Sequence, residues 1–562
     1  MSVSILLTAC GMLKKPKEPV AFTAADYPYI EKFHEGIRLK QRGQISEAIK
    51  AFEYCRSVNP NDDAVHYALS ELYLQSQQLS KSMESVQKAA KLDPKNQWYV
   101  QELAYMYFQS GNFTEASKHF QKLVEKEPRN IDWLFSYAES LMRSNDTQGA
   151  IKVLDKLQDQ VGANPQLAIE KFRLYRQIKQ DEKALNEITQ ALKEFPNDAQ
   201  LLANLVDYYF EKKQAEKAFN YLIKLAEADP DNGNAHLALA QYYDQKGDRK
   251  ESYSSLKKAF ACDDIPLDQK MKILISMFDA QAKLEPEMFE LVEVLEAKYP
   301  DDAKVYAIKG DFLLKNDLDK EALTAFRKAL SYDDSRYAIW KQVLLMEYQE
   351  QDFEKLYVDS KKCLELFPTM IDVYLLHGVS ATQTKRYQEA IDILTLGQEL
   401  VIGENPMKAE FLAQKGEAYF GLQDYKAGKE NYDKALKLLP NNNLTLNNYA
   451  YRLALAKTDL DKAEQMIREV LAVSPNEAHF LDTYGWVLFQ KGNYAEAKEK
   501  ISQAYELRKE DKLITEHMGD VSAKTGKTQE AVTFWLKAKE LGSTNKNLDK
   551  KIERKEYYEP LY

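Results

Sequence analysis

The chain has 562 residues, 44% hydrophobic and 29% charged, with a net charge of −10 at pH 7. That is the balance of a folded chain rather than a disordered one. Only 20 Gly and 17 Pro leave room for few turns, which favours many long helices over a β-sandwich. No basic block marks a nucleic-acid surface, and no run of about 18 apolar residues would cross a membrane.

The chain begins with an apolar run that ends in "LLTACG", Leu6 to Gly11. Leu7, Thr8 and Ala9 before Cys10 resemble a bacterial lipobox. The resemblance implies cleavage before Cys10 and attachment of diacylglycerol to its sulfur. Residues 1–9 are then a signal-peptide remnant. A secretory signal has a basic start and an apolar stretch of about 7–15 residues. No Lys or Arg precedes the run here, so further residues upstream of Met1 are expected. Residues 10–28 read as a tether, with Pro16 and Pro19 and no hydrophobic periodicity. At about 3.3–3.6 Å per residue it reaches roughly 50 Å. Gly11 stands where an aspartate favours inner-membrane retention in related lipoproteins, and no acidic run follows Cys10. Both cues imply an outer-membrane anchor with the array facing the periplasm.

From about Tyr29 the prolines set a period. Pro60, Pro94 and Pro128 are 34 residues apart, as are Pro196 and Pro230. Pro440 and Pro475 are one residue further apart. A 34-residue period marks stacked helix pairs, each helix carrying apolar residues at i, i+3, i+4 and i+7. Two small-residue columns recur. One includes Gly36, Ser70, Ala104, Ala138, Gly310, Gly378, Gly416, Gly485 and Gly519. The other includes Ala48, Ser82, Ala116, Ala150, Ala322, Gly428 and Ala497. Small side chains there let the two helices of a pair touch, and a bulky one overpacks them by roughly 1–3 kcal/mol. The stretches Tyr99 to Pro128, Phe411 to Pro440 and Ala478 to Arg508 resemble the tetratricopeptide repeat. The resemblance covers about Tyr29 to Leu541 in fifteen units. It implies an all-α fold, a TPR-type α-solenoid: a right-handed superhelix of stacked helical hairpins.

The expected divisions are subarrays at 29–162, 163–267, 268–402 (divergent) and 403–542, then a polar capping helix and frayed tail at 543–562. Extra residues at Gln158–Gln166 and Gly397–Lys408 mark joints. Phe172, Val206, Met288, Leu344 and Leu356 fill small columns with bulk, so those hairpins are expected to open or repack. Cys55, Cys262 and Cys363 are too far apart along a solenoid to bridge and read as small buried hydrophobes.

Residues that carry chemistry are sparse. "GDVSAKTGKT" (Gly519 to Thr528) ends like a phosphate loop, but six residues separate its glycines where the motif has four, and no strand precedes it. The seven histidines are scattered, and no Cys/His cluster suggests a metal. No cofactor, metal or catalytic site is expected, and an enzyme reading has little behind it. In tetratricopeptide superhelices, columns 2, 5, 9 and 12 of each first helix line a concave groove. The resemblance therefore assigns Tyr67, Trp98, Tyr105, Phe108 and Phe135 near one end and Phe420, Tyr451, Trp486 and Phe489 near the other. Aromatic side chains anchor interfaces. The two-Lys/Asn clamp for acidic tails is missing: Ala413, Glu417, Asn448, Leu513 and His517 stand in its columns. Glu139, Asp207, Asp311, Glu417, Asp482, Glu516 and Asp520 lean the face negative, which favours basic or neutral partner segments. The expected function is a non-enzymatic protein-interaction scaffold for an envelope complex, in outer-membrane protein assembly or in secretion and gliding. The alternative is a glycan- or peptidoglycan-associated envelope protein.

Overall fold

The computed structural model describes residues 23, 26–403 and 406–558. Cys10, the signal remnant and most of the tether lie outside the described residues. Thirty-one helices run from α1 (Tyr27–Gln41) to α31 (Leu548–Arg554), with no strand among the described residues. The helices follow one another in pairs, α1 with α2 (Ile45–Val58) and onward to α29 (Lys512–Lys524) with α30 (Thr528–Glu540), which gives the fifteen expected units, all but one of them closely or loosely packed as a hairpin. The chain separates into two compact units, one ending at Asp264 and the next beginning at Ile265.

Many first helices start on a side-chain cap. Asp62 accepts from the backbone N–H groups of Ala64 and Val65 at 3.0 and 3.2 Å. Asn96, Asn130, Asn164, Asp198 and Asn232 repeat the device in the following units. Such caps are worth about 1 kcal/mol each. In five of these six units the cap follows a proline by two residues, so Pro-x-Asn/Asp both stops one hairpin and starts the next. The turn inside most hairpins has a residue in the left-handed region. It is Gly43, Gly111, Gly247, Gly492 or Gly526 in some units, and Gln77, Lys213, Gln351 or Lys457 in others.

The two small columns meet. Ser82 Oγ donates to the Ser70 carbonyl at 2.6 Å, and Ser252 Oγ to the Ala240 carbonyl at 2.9 Å. The first column also sits beneath a large side chain from the second helix. A Cβ at Gly310 would fall 2.5 Å from Phe326, and one at Gly519 would fall 2.4 Å from Trp535. At Gly485 it would meet Ile501 at 2.4 Å and the Ala497 carbonyl oxygen at 3.1 Å. A missing side chain on one helix thus makes room for a buried ring or branched chain on the other.

Bulk in a small column has graded effects. The pair α9 (Pro165–Gln177) and α10 (Asp181–Glu194) carries Phe172 yet packs closely, because Ala184 stands in the facing column. Leu344 and Leu356 fill both columns of α19 (Tyr337–Gln349) and α20 (Phe353–Leu366), and that pair is loose. With Met288 buried in its second column, α15 (Leu267–Ala280) scarcely touches α16 (Pro286–Lys298). Cys55, Cys262 and Cys363 are buried thiols, and none is bridged.

Candidate interaction surface

In the unit ending at Asp264, the five expected aromatics divide into two kinds. Trp98, on α5 (Gln97–Gln109), is 62% exposed, and Phe135, on α7 (Ile131–Arg143), is 55% exposed. They stand on first helices of consecutive hairpins, and Ile131 beside them is exposed as well. The other three are half-buried between helices. Tyr67 leans on Tyr99 with ring centroids 4.8 Å apart. Tyr105 meets the buried Phe120 edge-on at 5.1 Å. Phe108 meets Phe113 at 5.3 Å, with the Arg143 guanidinium 5.8 Å from its ring. These three pack the stack more than they face water.

In the second unit, sequence reasoning placed Phe420, Trp486 and Phe489 on an open face, and the structure buries all three. Phe420, on α23 (Pro406–Gly421), is enclosed by Tyr425, Tyr432 and Tyr449. Gly428 leaves the space that its ring fills. Trp486 and Phe489 lie on α27 (Ala478–Gln490), stacked at 4.8 Å and nearly parallel. The imidazole of His517 covers the Trp486 ring at 4.0 Å. The ring of Tyr557, from the chain beyond α31, meets Phe489 edge-on at 5.1 Å. Tyr451, on α25 (Asn443–Leu455), stays half-buried. It borders a recess of about 540 Å³ shared with Leu444, Asn447, His479, Asp482 and Leu513.

The acidic columns are largely neutralised from within. Arg143 pairs with Glu139 at 3.0 Å, and Arg452 with Glu417 at 2.6 Å. Asp482 accepts from His517 Nδ1 at 2.9 Å. Lys551 Nζ lies 2.8 Å from Glu516 and 2.7 Å from Asp520. Asp311 differs, since desolvation pushes its carboxyl up to about 6 and no neighbouring charge contributes. The face therefore presents less negative charge than its residue types suggest.

One constellation that sequence reading missed has the residue types of a hydrolase. Ser360 Oγ lies 2.8 Å from His377 Nδ1, and His377 Nε2 lies 3.9 Å from Glu389. Ser360 is fully buried and His377 nearly so, with Tyr357 stacked on the imidazole at 4.9 Å. Burial pulls the His377 pKa below its ordinary value, so the ring is neutral at neutral pH and serves as a buried hydrogen-bond partner. Of the phosphate-loop decoy, Gly519 lies under Trp535 and Gly526 makes the turn before α30. No group of three or more metal-ligating side chains occurs among the described residues, and no described helix is long and apolar enough to cross a membrane.

Models described as tetratricopeptide repeat match residues 39–104, 107–169, 170–233, 409–442 and 450–512. A TPR repeat-containing protein of Methanocaldococcus jannaschii is 31% identical over 125 residues, 22% of each chain. The mitochondrial import receptor subunit TOM70 of Homo sapiens is 21% identical over 258 residues, 45% of this chain and 42% of that one. The chain thus spans less than half the length of these curated relatives. Among solved structures, yeast Tom70 aligns over 94% of this chain and 95% of its own, at 16% identity and a TM-score of 0.34. A tetratricopeptide repeat protein from Parabacteroides merdae aligns over 45% of this chain and 98% of its own, at 14% identity and a TM-score of 0.39. Helix pairs on a 34-residue period, small columns that meet between helices, and five matched stretches agree: the chain belongs to the tetratricopeptide repeat family.

Proposed function

We propose that this tetratricopeptide repeat chain is a protein-interaction scaffold of a bacterial envelope, tethered by acyl chains on Cys10 to the outer membrane and facing the periplasm. The observation that carries the interaction reading is the exposure of Trp98 and Phe135 on first helices of consecutive hairpins. Large aromatics left in water on a chain that keeps most of its rings buried or half-buried favour association, since covering them removes apolar surface at about 25 cal/mol per Å². The internal ion pairs leave a weakly charged face. This favours partner segments that are neutral or basic with apolar side chains, presented along a groove formed by successive first helices. The membrane half rests on the lipobox-like Leu7-Thr8-Ala9-Cys10. More than one acyl chain makes anchoring stable, at about 0.8 kcal/mol per buried methylene. The machines in view are those of outer-membrane protein assembly and of secretion or gliding.

The test is purification of the full chain from detergent-solubilised membranes, with mass analysis of its N-terminal peptide. Diacylglyceryl-modified Cys10 and co-purifying envelope proteins are expected. An unmodified thiol contradicts the anchor. Retention on isolated cell wall without protein partners contradicts the scaffold and favours a glycan-binding role.

A further inference from the structure

The last hairpins end in a reversal of the chain. α31 closes the stack: Leu548 is buried with Trp535, Ala531 and Ala538, and the ammonium of Lys551 sits between Glu516 and Asp520. Lys555 then takes the left-handed conformation, at φ 59°. Past it the chain turns back along the stack, and Tyr557 reaches Phe489, on α27, across the whole hairpin of α29 and α30. Lys524, on α29, places its ammonium 4.8 Å from the same ring. Phe489 and Trp486 occupy columns 12 and 9 of their first helix, where the second unit was expected to be open. The protein's own tyrosine is seated on Phe489, while His517 covers Trp486.

The Tyr557 ring packs against the core cluster that holds Phe489, and the Lys551 ammonium also lies 5.5 Å from it. Lys555 and Glu556 are exposed, while Tyr557 and Tyr558 are half-buried. Tyr558 meets cations of its own neighbourhood, Lys550 at 5.4 Å and Arg554 at 5.0 Å. The closed arrangement thus combines a buried anchor at Lys551 with a more exposed segment beyond it, held at Tyr557.

We propose that residues 555–558 are a strap occupying a docking seat in cis, and that the seat of Phe489 and Lys524 takes an aromatic side chain from a partner's segment when the strap lifts. The occupant's chemistry is given by the ring already there, a tyrosine edge-on to Phe489 with a lysine against its face. The proposal rests on the interaction reading above and adds a regulated second seat to it. A strap on so short a tether competes at an effective concentration of about millimolar. It lowers the apparent affinity of any partner by the fraction of time the seat is open.

The probe is a fluorescent peptide of residues 552–558, titrated into the full chain. The Tyr557→Ala variant is expected to bind it at least about ten-fold more tightly than the unaltered chain, Tyr557→Phe to behave like the unaltered chain, and Tyr557→Ala/Lys524→Ala to lose much of the gain. In the unaltered chain, amides of 555–558 are expected to exchange hydrogen faster than those of α29. This reports lifting of the strap without relying on a variant. Equal peptide affinity for Tyr557→Ala and the unaltered chain, or strap amides as protected as α29, overturns the proposal. Capture of partners through Trp98 and Phe135 is measured on the same samples. If it persists while the peptide fails to bind, the strap alone is refuted; if it too is absent, the interaction reading fails with it.

Discussion

His517 donates from Nδ1 to the carboxylate of Asp482 at 2.9 Å, tying α29 to α27 across the interface between two hairpins. Both side chains are buried, and the imidazole lies flat on Trp486. Burial alone pulls the histidine pKa down, but Asp482 first, then Asp520 and Glu516, outweigh it and hold it above its ordinary value. Below a pH of about 6.5 the imidazolium is charged in both folded and unfolded chains, and its stabilisation is complete. As pH rises through the raised folded value, the folded chain gives up its extra proton and the contribution is lost. Hydrogen exchange in α27 and α29, corrected for its intrinsic pH dependence, should therefore accelerate over that range. Asp482→Asn should flatten the dependence. An Asp482→Asn profile equal to the unaltered one would show that this pair does not set it.

Lys551 neutralises two buried carboxylates, so its removal leaves both uncompensated. Lys551→Ala should cost about 3–5 kcal/mol in the last hairpin, since breaking a buried pair exposes the full desolvation penalty of the partner. Lys551→Met/Glu516→Gln/Asp520→Asn, which removes all three charges of this cluster, should recover most of it. Urea unfolding followed at Trp535, which donates to Asp520 at 2.9 Å, reads the difference.

Gly485 has no room for a side chain beside Ile501 and Ala497. Gly485→Leu should force α27 from α28 (Tyr494–Leu507) at roughly 1–3 kcal/mol or more, and faster exchange should be confined to those helices and their immediate neighbours. Unchanged exchange there would contradict the packing described.

Lys213 holds the left-handed turn position that glycine fills elsewhere, at φ 57°. Lys213→Gly should stabilise its hairpin by about 1 kcal/mol, and Gly247→Ala should destabilise the next by a similar amount. Thermal melts of the two variants should shift in opposite directions.

Much of this architecture was legible in the residues. Prolines on a 34-residue period and small residues in two columns report covalent and steric constraints that recur in every unit, so the helix pairs and their number followed directly. The cap residues two positions after those prolines carried the same period, and the Pro-x-Asn/Asp pattern could have been read with them. The side-chain face was harder. Column position says which way Trp98 and Trp486 point, and both lie on first helices; Trp98 is exposed, while Trp486 is buried with His517, from the next hairpin, laid over its ring. Likewise Glu516 and Asp520 look like surface charge until Lys551, from the closing helix, reaches them. Ser360, His377 and Glu389 gave no local motif, because their approach arises from packing between two hairpins.

The account turns on whether partners meet the first-helix face. Photo-crosslinking residues placed singly at Trp98 and Phe135 should, in intact cells, capture partner proteins. The same group at Val58 and Leu79, equally exposed on second helices of the same unit, should capture few or none. Crosslinks that are absent at 98 and 135, or as abundant at 58 and 79, would contradict it.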